Sequence, residues 1–474
     1  MSSYTISPTL NKSRVFILQK SELEKRFDPF FYIPELLELE KKVLAKKPKK
    51  LRDYVKGLAS GATPKRDEED KYYSDKENGI PFLRVQNVTE FGLDLTDVKF
   101  INKKTHEGYL KRSQISEGDL IVTITGRIAS AAVAPDGFIG NTNQHSVVIK
   151  TGSKEISEKL AAYLNCSIGQ KLANRLATGG TRPALDYPAL LSIPIIEDKR
   201  ILQINDKVIA QKQKNEAEAD KLLSSIDEYL LKELGIKLPE PPENTLKNRM
   251  FSRTLKEISN NRFDPFYHKE EFAVLDKILD NKMFVKFSTL IQVITKGETP
   301  LWKGESYVEN GIPFLKVQNI SSDGIFGEIT YITEELHNSM TRSILKGGEL
   351  LYTMAGSIGI ATYLPIDFGE ANINQAIAKI ILKDNLEIDK SFLLYVINSK
   401  VCKKQAERFL TVSAQPNINF DQIKAIKIPV PPLDKQKEIA EHITSIRQQA
   451  QQLKDKTTEL LIKASKEIEE ILLN

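Results

Sequence analysis

The sequence NGIPFLRVQN at residues 78–87 returns as NGIPFLKVQN at residues 310–319, and the two stretches differ only at Arg84 and Lys316. Shorter matches keep the same order in both halves of the chain. They are RFDPF at 26–30 and 262–266, Gly-x-Thr-Pro at 61–64 and 297–300, Asn-Gln at 143–144 and 374–375, and Ile-Pro at 193–194 and 428–429. A repeat this long exceeds solenoid units and predicts two domains of similar fold.

The composition is that of a globular protein. The chain has 474 residues, 41% of them hydrophobic, which is enough for two ordinary cores. We expect neither a signal peptide nor a membrane span, because no run of 18 apolar residues occurs. The two cysteines, Cys166 and Cys402, fall at non-equivalent places, which argues against a disulfide framework and fits a reducing cytoplasm. A net charge of +5 does not decide whether the partner is a nucleic acid.

Each half follows the same pattern of local structure. An opening helix precedes the Gly-x-Thr-Pro turn, and alternation then predicts a strand that places Arg84 and Gln86 on one face. Further strands lead to a glycine turn, at 126–129 and 356–359, and to helical stretches at about 156–176 and 390–410. The pattern predicts an α+β domain with a mixed or antiparallel sheet.

Each half ends in a long charged helix. In the second helix, apolar or small residues alternate spacings of four and three, which is typical of a coiled-coil seam: Ile439, Ile443, Ile446, Ala450, Leu453, Thr457, Leu460 and Ala464. The first helix has a polar middle at Gln211 and Asn215. We expect the two helices to pair as an antiparallel coiled coil; the alternative is that each packs only on its own domain.

These patterns set the predicted boundaries. The chain divides into a first domain at 12–198, a first spacer helix at 199–237, a stiff proline-rich linker at 238–246, a second domain at 247–433 and a second spacer helix at 434–474.

The order of these motifs resembles the specificity (S) subunit of type I restriction–modification systems over nearly the whole chain. The most specific match is the end of the second half, QPNINF at 415–420 and IPVPPLDKQ at 428–436. The corresponding segments of the first half, TRP at 181–183 and IPIIE at 193–197, match less closely.

The resemblance implies two pseudo-symmetric target recognition domains, each reading one half of a bipartite site in double-stranded DNA. It implies a cytoplasmic protein with no catalytic residues, cofactor or membrane partner of its own. Two modification subunits would carry S-adenosylmethionine and methylate adenine at N6, and motor–nuclease restriction subunits would cleave.

Missing motifs agree with this division of labour. The chain has no Gly-x-x-x-x-Gly-Lys-Ser/Thr loop and no Asn/Asp-Pro-Pro-aromatic tetrad, and its five histidines show no metal-ligand spacing. We therefore expect neither catalysis nor a metal site.

Candidate DNA-binding residues follow from side-chain chemistry, because Arg and Lys pair with guanine or phosphate and Asn and Gln pair with adenine. Residues shared by both copies suit phosphate contact or framework roles: Thr63, Arg84, Gln86, Asn87, Asn143 and Gln144, with Thr299, Lys316, Gln318, Asn319, Asn374 and Gln375. Residues that differ between the copies suit base discrimination: Arg127, Thr181, Arg182, Ser357, Ser413 and Gln415. Trp302, in a divergent loop, suits contact with sugar or base.

Three other functions stay open at this point. The chain could be the equivalent subunit of a two-part enzyme that cuts on both sides of a bipartite site. It could be a scaffold whose duplicated domains bind protein, in which case its affinity for DNA would show little salt dependence. A free-standing enzyme is the third, and the missing motifs argue against it.

Overall fold

The structure, a computed structural model, describes residues 7, 10–11, 13–24, 26–65, 68–180, 182–240, 243, 245–258, 263–299, 307–410 and 416–474. The chain forms two compact units: the first is Met1–Ala217 with Leu453–Asn474, and the second is Glu218–Gln452. Both units contain helices and strands, which confirms the α+β class. The limits of the units fall within the two long helices, and the domain boundaries drawn from the sequence stay predictions.

Short strands and short helices alternate in the first unit. Its helices are Pro34–Ala45, Glu69–Tyr72, Lys154–Asn165, Ser167–Leu176, Tyr187–Ser192, the start of Lys199–Glu233 and the end of Leu433–Leu473. Its strands are Lys49–Lys50, Gly57–Ser60, Tyr73–Ser74, Ile80–Leu83, Val88–Thr89, Gly92–Leu93, Lys99–Ile101, Gln114–Ser116, Leu120–Thr123, Ala131–Val133, Ile139–Thr142, Ser146–Lys150 and Pro194–Ile195.

Two sheets carry the first unit. The four-stranded sheet is antiparallel, in the order Ala131–Val133, Leu120–Thr123, Ser146–Lys150 and Gly57–Ser60. The five-stranded sheet is mixed, in the order Tyr73–Ser74, Lys99–Ile101, Ile80–Leu83, Ile139–Thr142 and Gln114–Ser116. Its one parallel pair joins Ile80–Leu83 to Ile139–Thr142, with Asn141 opposite Phe82.

The second unit has a matching set of elements. Its helices are the end of Lys199–Glu233, then Leu246–Arg249, Leu255–Ile258, Glu270–Leu279, Glu334–Ser339, Lys390–Asn398, Lys400–Arg408, Phe420–Ala425 and the start of Leu433–Leu473. Its strands are Phe284–Lys286, Ile291–Lys296, Tyr307–Val308, Ile312–Leu315, Ile320–Ser321, Gly324–Ile325, Thr330–Ile332, Leu350–Thr353, Ala361–Tyr363, Asn372–Ile373, Ile377–Leu382 and Lys427–Pro429.

The sheets of the second unit follow the strand order of the first, although the described mixed sheet has four strands where that of the first unit has five. One four-stranded sheet runs in the order Ile291–Lys296, Ile377–Leu382, Leu350–Thr353 and Ala361–Tyr363. The other is mixed and contains the parallel pair Ile312–Leu315 with Asn372–Ile373, in which Phe314 lies opposite Asn372. The two units are therefore pseudo-symmetric, as the sequence repeat predicts.

Each helical stretch expected at 156–176 and 390–410 is a pair of helices and not a single one. The backbone is extended at Cys166 and at Ser399, and a new helix begins at the next residue in both cases. The Sγ atom of Cys166 accepts a hydrogen bond from the Gly169 amide at 3.4 Å, which caps the second helix. The sequence shows only helical periodicity here, and this break was not predicted.

The residue that follows each RFDPF segment packs on an arginine of the helix pair. Arg175 is 1% exposed; its Nε donates to the carbonyl oxygen of Phe31 at 2.8 Å, and its guanidinium lies 3.9 Å from the centre of the Phe31 ring. Its Nη1 pairs with Glu40 at 2.7 Å. Arg408 repeats this in the second unit, donating to the Tyr267 carbonyl oxygen at 3.0 Å and stacking on that ring.

The two long helices, Lys199–Glu233 and Leu433–Leu473, have segments in both units. In the first unit, Asn215 donates to Thr457 Oγ1 at 2.9 Å, and Ile201 shares a core with Leu472, so these segments run antiparallel. In the second unit, Lys435 lies 2.5 Å from Glu233, and the ring of His442 lies 4.1 Å from that of Tyr229. These segments are antiparallel as well.

Burial leaves the two thiols unreactive. Cys166 and Cys402 are both buried, and burial raises the pKa of Cys166 to about 11 and that of Cys402 further. Across the described ranges, no helix has the length and apolarity that crossing a membrane requires.

Replacing Arg175 with alanine should lower the free energy of unfolding of the chain by about 3–5 kcal/mol, because it strands Glu40 and empties a buried site. Urea unfolding of the full-length protein measures this. Lys42→Ala is the control: its ion pair with Glu38 is 57% and 69% exposed, so the loss should stay below about 1 kcal/mol. Equal losses in both variants would contradict a structural role for Arg175.

Candidate nucleic-acid interface

The Gly-x-Thr-Pro turn of the first unit packs against the end of a strand from the other sheet. Gly61 donates its amide to the Asn143 carbonyl oxygen at 3.2 Å, and a Cβ at Gly61 would lie 1.6 Å from the Thr142 carbonyl oxygen. Only glycine allows this approach. It places Thr63 beside Gln144, and Thr63 Oγ1 donates to Gln144 Oε1 at 2.7 Å.

The second unit has the same arrangement. A Cβ at Gly297 would lie 1.7 Å from the Ile373 carbonyl oxygen, and Thr299 Oγ1 donates to Gln375 Oε1. In both units the threonine and the glutamine are exposed. The structure therefore brings together four of the candidate residues as two exposed Thr–Gln pairs, although each pair is far apart in the sequence.

The asparagine before each glutamine shapes the turn. Asn143 Oδ1 accepts the amide of His145 at 3.0 Å, and Asn374 Oδ1 accepts the amide of Ala376 at 3.2 Å. Asn143 is buried. These side chains orient the glutamines and leave them as the outward groups of the Asn-Gln motif.

The strand expected to carry Arg84 and Gln86 on one face ends before both residues, so that expectation was wrong. The strand stops at Leu83, and Val85–Asn87 is a 3-10 turn. The reason is Asn87, whose Oδ1 accepts the Arg84 amide at 2.9 Å and whose Nδ2 donates to the carbonyl oxygens of Asp94 and Asp97. An asparagine that bonds its own backbone in this way favours a turn over an extended strand.

Arg84 and Gln86 nevertheless lie together. Arg84 Nη2 lies 3.0 Å from Asp97 Oδ2, and Gln86 Nε2 donates to the same oxygen at 2.6 Å. In the second unit, Asn319 holds the matching turn through the carbonyl oxygens of Phe326 and Glu328. Asn87 and Asn319 are buried and fully engaged, which favours a structural role for both.

Lys316 and Gln318, the counterparts of Arg84 and Gln86 in the second unit, make different contacts. Lys316 Nζ lies 4.8 Å from the centre of the Tyr307 ring, and Gln318 is exposed. A lysine over an aromatic ring keeps its charge available to an anion while its stem is packed.

A glycine turn of identical backbone carries different side chains in the two units. Gly126 and Gly356 have φ of 77° and 70°. In each unit the threonine that ends the preceding strand donates its hydroxyl to a carbonyl oxygen four residues later, Thr123 to Arg127 and Thr353 to Ser357. Arg127 and Ser357 are exposed, as is Arg182. Four candidates lie outside the described residues: Thr181, Trp302, Ser413 and Gln415.

An arginine beside each Gly-x-Thr-Pro turn was missed from the sequence. Arg112 is exposed, and its Nη2 donates to the Gly61 carbonyl oxygen at 3.2 Å. Arg342 is its counterpart; it is exposed, and its carbonyl oxygen accepts from Thr295 Oγ1 at 2.9 Å. The signal was the Arg-Ser dipeptide, which recurs at 112–113 and 342–343.

The duplicated sheets and the duplicated polar turn define a tandem α+β protein with two related surfaces. A family model described as type I restriction modification DNA specificity domain matches residues 44–224 and again residues 280–461. The chain belongs to this family, and the resemblance inferred from the sequence is confirmed.

Two relatives come from Methanocaldococcus jannaschii. The chain is 27% identical to the type I restriction enzyme MjaVIII specificity subunit over 266 residues, which are 50% of this chain and 61% of that one, so the match spans less than two thirds of that relative. It is 22% identical over 451 residues to a protein assigned as the MjaX specificity subunit, over 90% of this chain and 92% of that one.

Solved structures are more distant. The S subunit from M. genitalium has a TM-score of 0.35 and 14% identity, over 90% of this chain and 94% of that one. A chain from a structure of type I system assembly and conformational transition has a TM-score of 0.43 and 15% identity, over 90% and 95%. These values are too low for transferring residue roles.

Gly61→Ala should destabilise the chain by about 1–3 kcal/mol, because the added methyl group collides with backbone. Gly108→Ala is the matched control: nothing lies within 4 Å of its Cβ position, so the variant should be neutral or slightly more stable. Thermal and urea unfolding of both full-length variants measure the difference. A neutral Gly61→Ala would contradict the close packing of this turn.

Proposed function

We propose that this chain is the sequence-specific DNA-recognition subunit of a type I restriction–modification complex. The observation that carries the proposal is the pair of exposed Thr–Gln turns, one in each unit, on the same framework and with different neighbours. Family membership supports it. Two related surfaces whose neighbouring side chains differ suit a bipartite, asymmetric DNA site.

The shared residues suit positioning on the duplex. Arg112 and Arg342 are exposed cations. Arg112 donates to the first Gly-x-Thr-Pro turn, and the carbonyl oxygen of Arg342 accepts from Thr295, two residues before the second turn. Guanidinium groups pair well with phosphate oxygens, and such contacts fix register without carrying sequence information. Because both units have the arginine, it serves the job that both half-sites have in common.

The differing residues suit base discrimination. Arg127 in the first unit corresponds to Ser357 in the second, on glycine turns of the same backbone. An arginine can bond bidentately to guanine in the major groove, whereas a serine hydroxyl accepts or donates a single bond to several bases. The two half-sites should therefore differ in sequence.

The long helices act as the spacer between the recognition domains, pairing as an antiparallel coiled coil. The antiparallel segments found within each unit support this role, and the predicted limits 199–237 and 434–474 describe it. Catalysis belongs to partners: two modification subunits that bind S-adenosylmethionine, and motor–nuclease restriction subunits. The chain itself would transfer no methyl group.

Arg112→Ala should weaken DNA binding similarly for all sequences and reduce the slope of log affinity against log salt by about 1, because one phosphate contact is lost. The assay is equilibrium binding of the full-length chain to duplex DNA at several salt concentrations. Arg200→Ala is the control, since this exposed arginine pairs with Asp198 at the start of the first long helix. A salt slope near zero in the unchanged chain would favour the protein-binding scaffold.

Replacing residues 12–198 with the first recognition domain of another family member should change one half of the target and leave the other half and the gap unchanged. The readout is a base-resolution map of N6-methyladenine in cells that supply the partner subunits, with and without the gene. Changes in both halves would contradict independent recognition by the two domains, and a map that does not depend on the gene would contradict the function.

A further inference from the structure

The Thr–Gln pair of the first unit continues into a chain of four hydrogen-bonded side chains. Thr63 Oγ1 donates to Gln144 Oε1 at 2.7 Å, and Gln144 Nε2 lies 3.1 Å from His145 Nε2. The other ring nitrogen, His145 Nδ1, lies 2.7 Å from Thr125 Oγ1. Neither His145 nor Thr125 was among the residues selected from the sequence.

The donors and acceptors of this chain are interdependent. An amide nitrogen can only donate, so His145 Nε2 accepts, and the ring proton of the neutral imidazole resides on Nδ1, facing Thr125. Reversing the amide of Gln144 would require the ring proton to move and both hydroxyl groups to turn. The four groups can therefore change only together, and the amide of Gln144 is held at both its oxygen and its nitrogen.

The fixed amide keeps one free donor and one free acceptor. Gln144 uses one lone pair of Oε1 and one hydrogen of Nε2 within the chain, and the side chain is exposed. One N–H and one lone pair of the amide remain for a ligand. This is the pattern that complements N7 and the N6 amino group of adenine in the major groove.

The second unit lacks this arrangement. Gln375 accepts from Thr299 in the same way, but the residues matching His145 and Thr125 are Ala376 and Ala355, whose side chains form no hydrogen bonds. Within the described residues, a side-chain hydrogen bond therefore holds Gln375 at the oxygen of its amide and not at the nitrogen.

We propose that His145 and Thr125 are positioning residues that fix Gln144 to read one adenine in the half-site of the first unit. The second unit reads no base through a glutamine positioned in this way. The proposal rests on the DNA-recognition function proposed above and adds the residues, the base and the half-site. Preorganising the donor and the acceptor sharpens discrimination between bases more than it adds contacts with DNA, so the proposal concerns specificity.

The test begins with selection of duplexes from a random DNA library by the full-length chain. The selected motif should contain an adenine, in one half only, at which 7-deazaadenine weakens binding by about tenfold, since it removes the N7 acceptor. His145→Ala should abolish that sensitivity and leave the preferences of the other half unchanged. Thermal unfolding of each variant shows that it is folded.

His145→Gln separates positioning from a merely structural role. The Oε1 atom of a glutamine at this position stands in for Nε2 and can accept from Gln144, so this variant should retain sensitivity to 7-deazaadenine. Thr125→Val, which keeps the shape and removes the hydroxyl, should reduce it.

The outcomes distinguish the two levels of the proposal. The positioning role would be overturned if His145→Ala selected the same motif, with the same sensitivity to 7-deazaadenine, as the unchanged chain. Equal loss of that sensitivity in His145→Ala and His145→Gln would overturn it as well. Absence of any selected motif, together with a salt slope near zero, would instead overturn DNA recognition itself.

Discussion

One close backbone contact between the two sheets recurs in each unit, and the exposed surface depends on it. The strand Gly57–Ser60 belongs to the four-stranded sheet and leads directly into Gly61. Gly61 lies against Thr142, the last residue of a strand in the five-stranded sheet. Any side chain at this glycine would separate the sheets. The contact also sets the distance between Thr63 and Gln144, so the fold and the candidate surface share one constraint.

Local patterns in the sequence predicted much of the fold. Long helices were expected within 199–237 and 434–474, and the structure has helices at Lys199–Glu233 and Leu433–Leu473, because helical periodicity is encoded in neighbouring residues. The turn at Val85–Asn87 was missed because the alternation of polar and apolar residues there imitates a strand, while the Asn87 side chain ends it. Over so short a stretch, hydrogen bonds from a side chain to the backbone outweigh the alternation of polar and apolar residues.

The candidate surface was predictable in its residues but not in its pairings. Thr63 and Gln144 stand out as repeated motifs, yet nothing local indicates that they meet, since their contact depends on sheet topology. The histidines show the same limit. No ligand spacing relates His106 to His337, but each bonds a buried asparagine, Asn141 or Asn372. These are matching polar networks inside the two units, and partners so distant in the chain become visible only after folding.

Burial separates the repeated polar residues into two kinds. Asn87 and Asn319 are enclosed and bond backbone carbonyl oxygens, whereas Gln144 and Gln375 are exposed, and all four look alike in a comparison of the two halves. A change at a buried amide leaves unsatisfied groups and affects the stability of its unit.

A change at a residue beside an exposed amide, such as the histidine or alanine that follows each glutamine, leaves the framework intact. It alters one surface only. A duplicated framework with unlike neighbours can therefore change one half of a recognised site without refolding either unit.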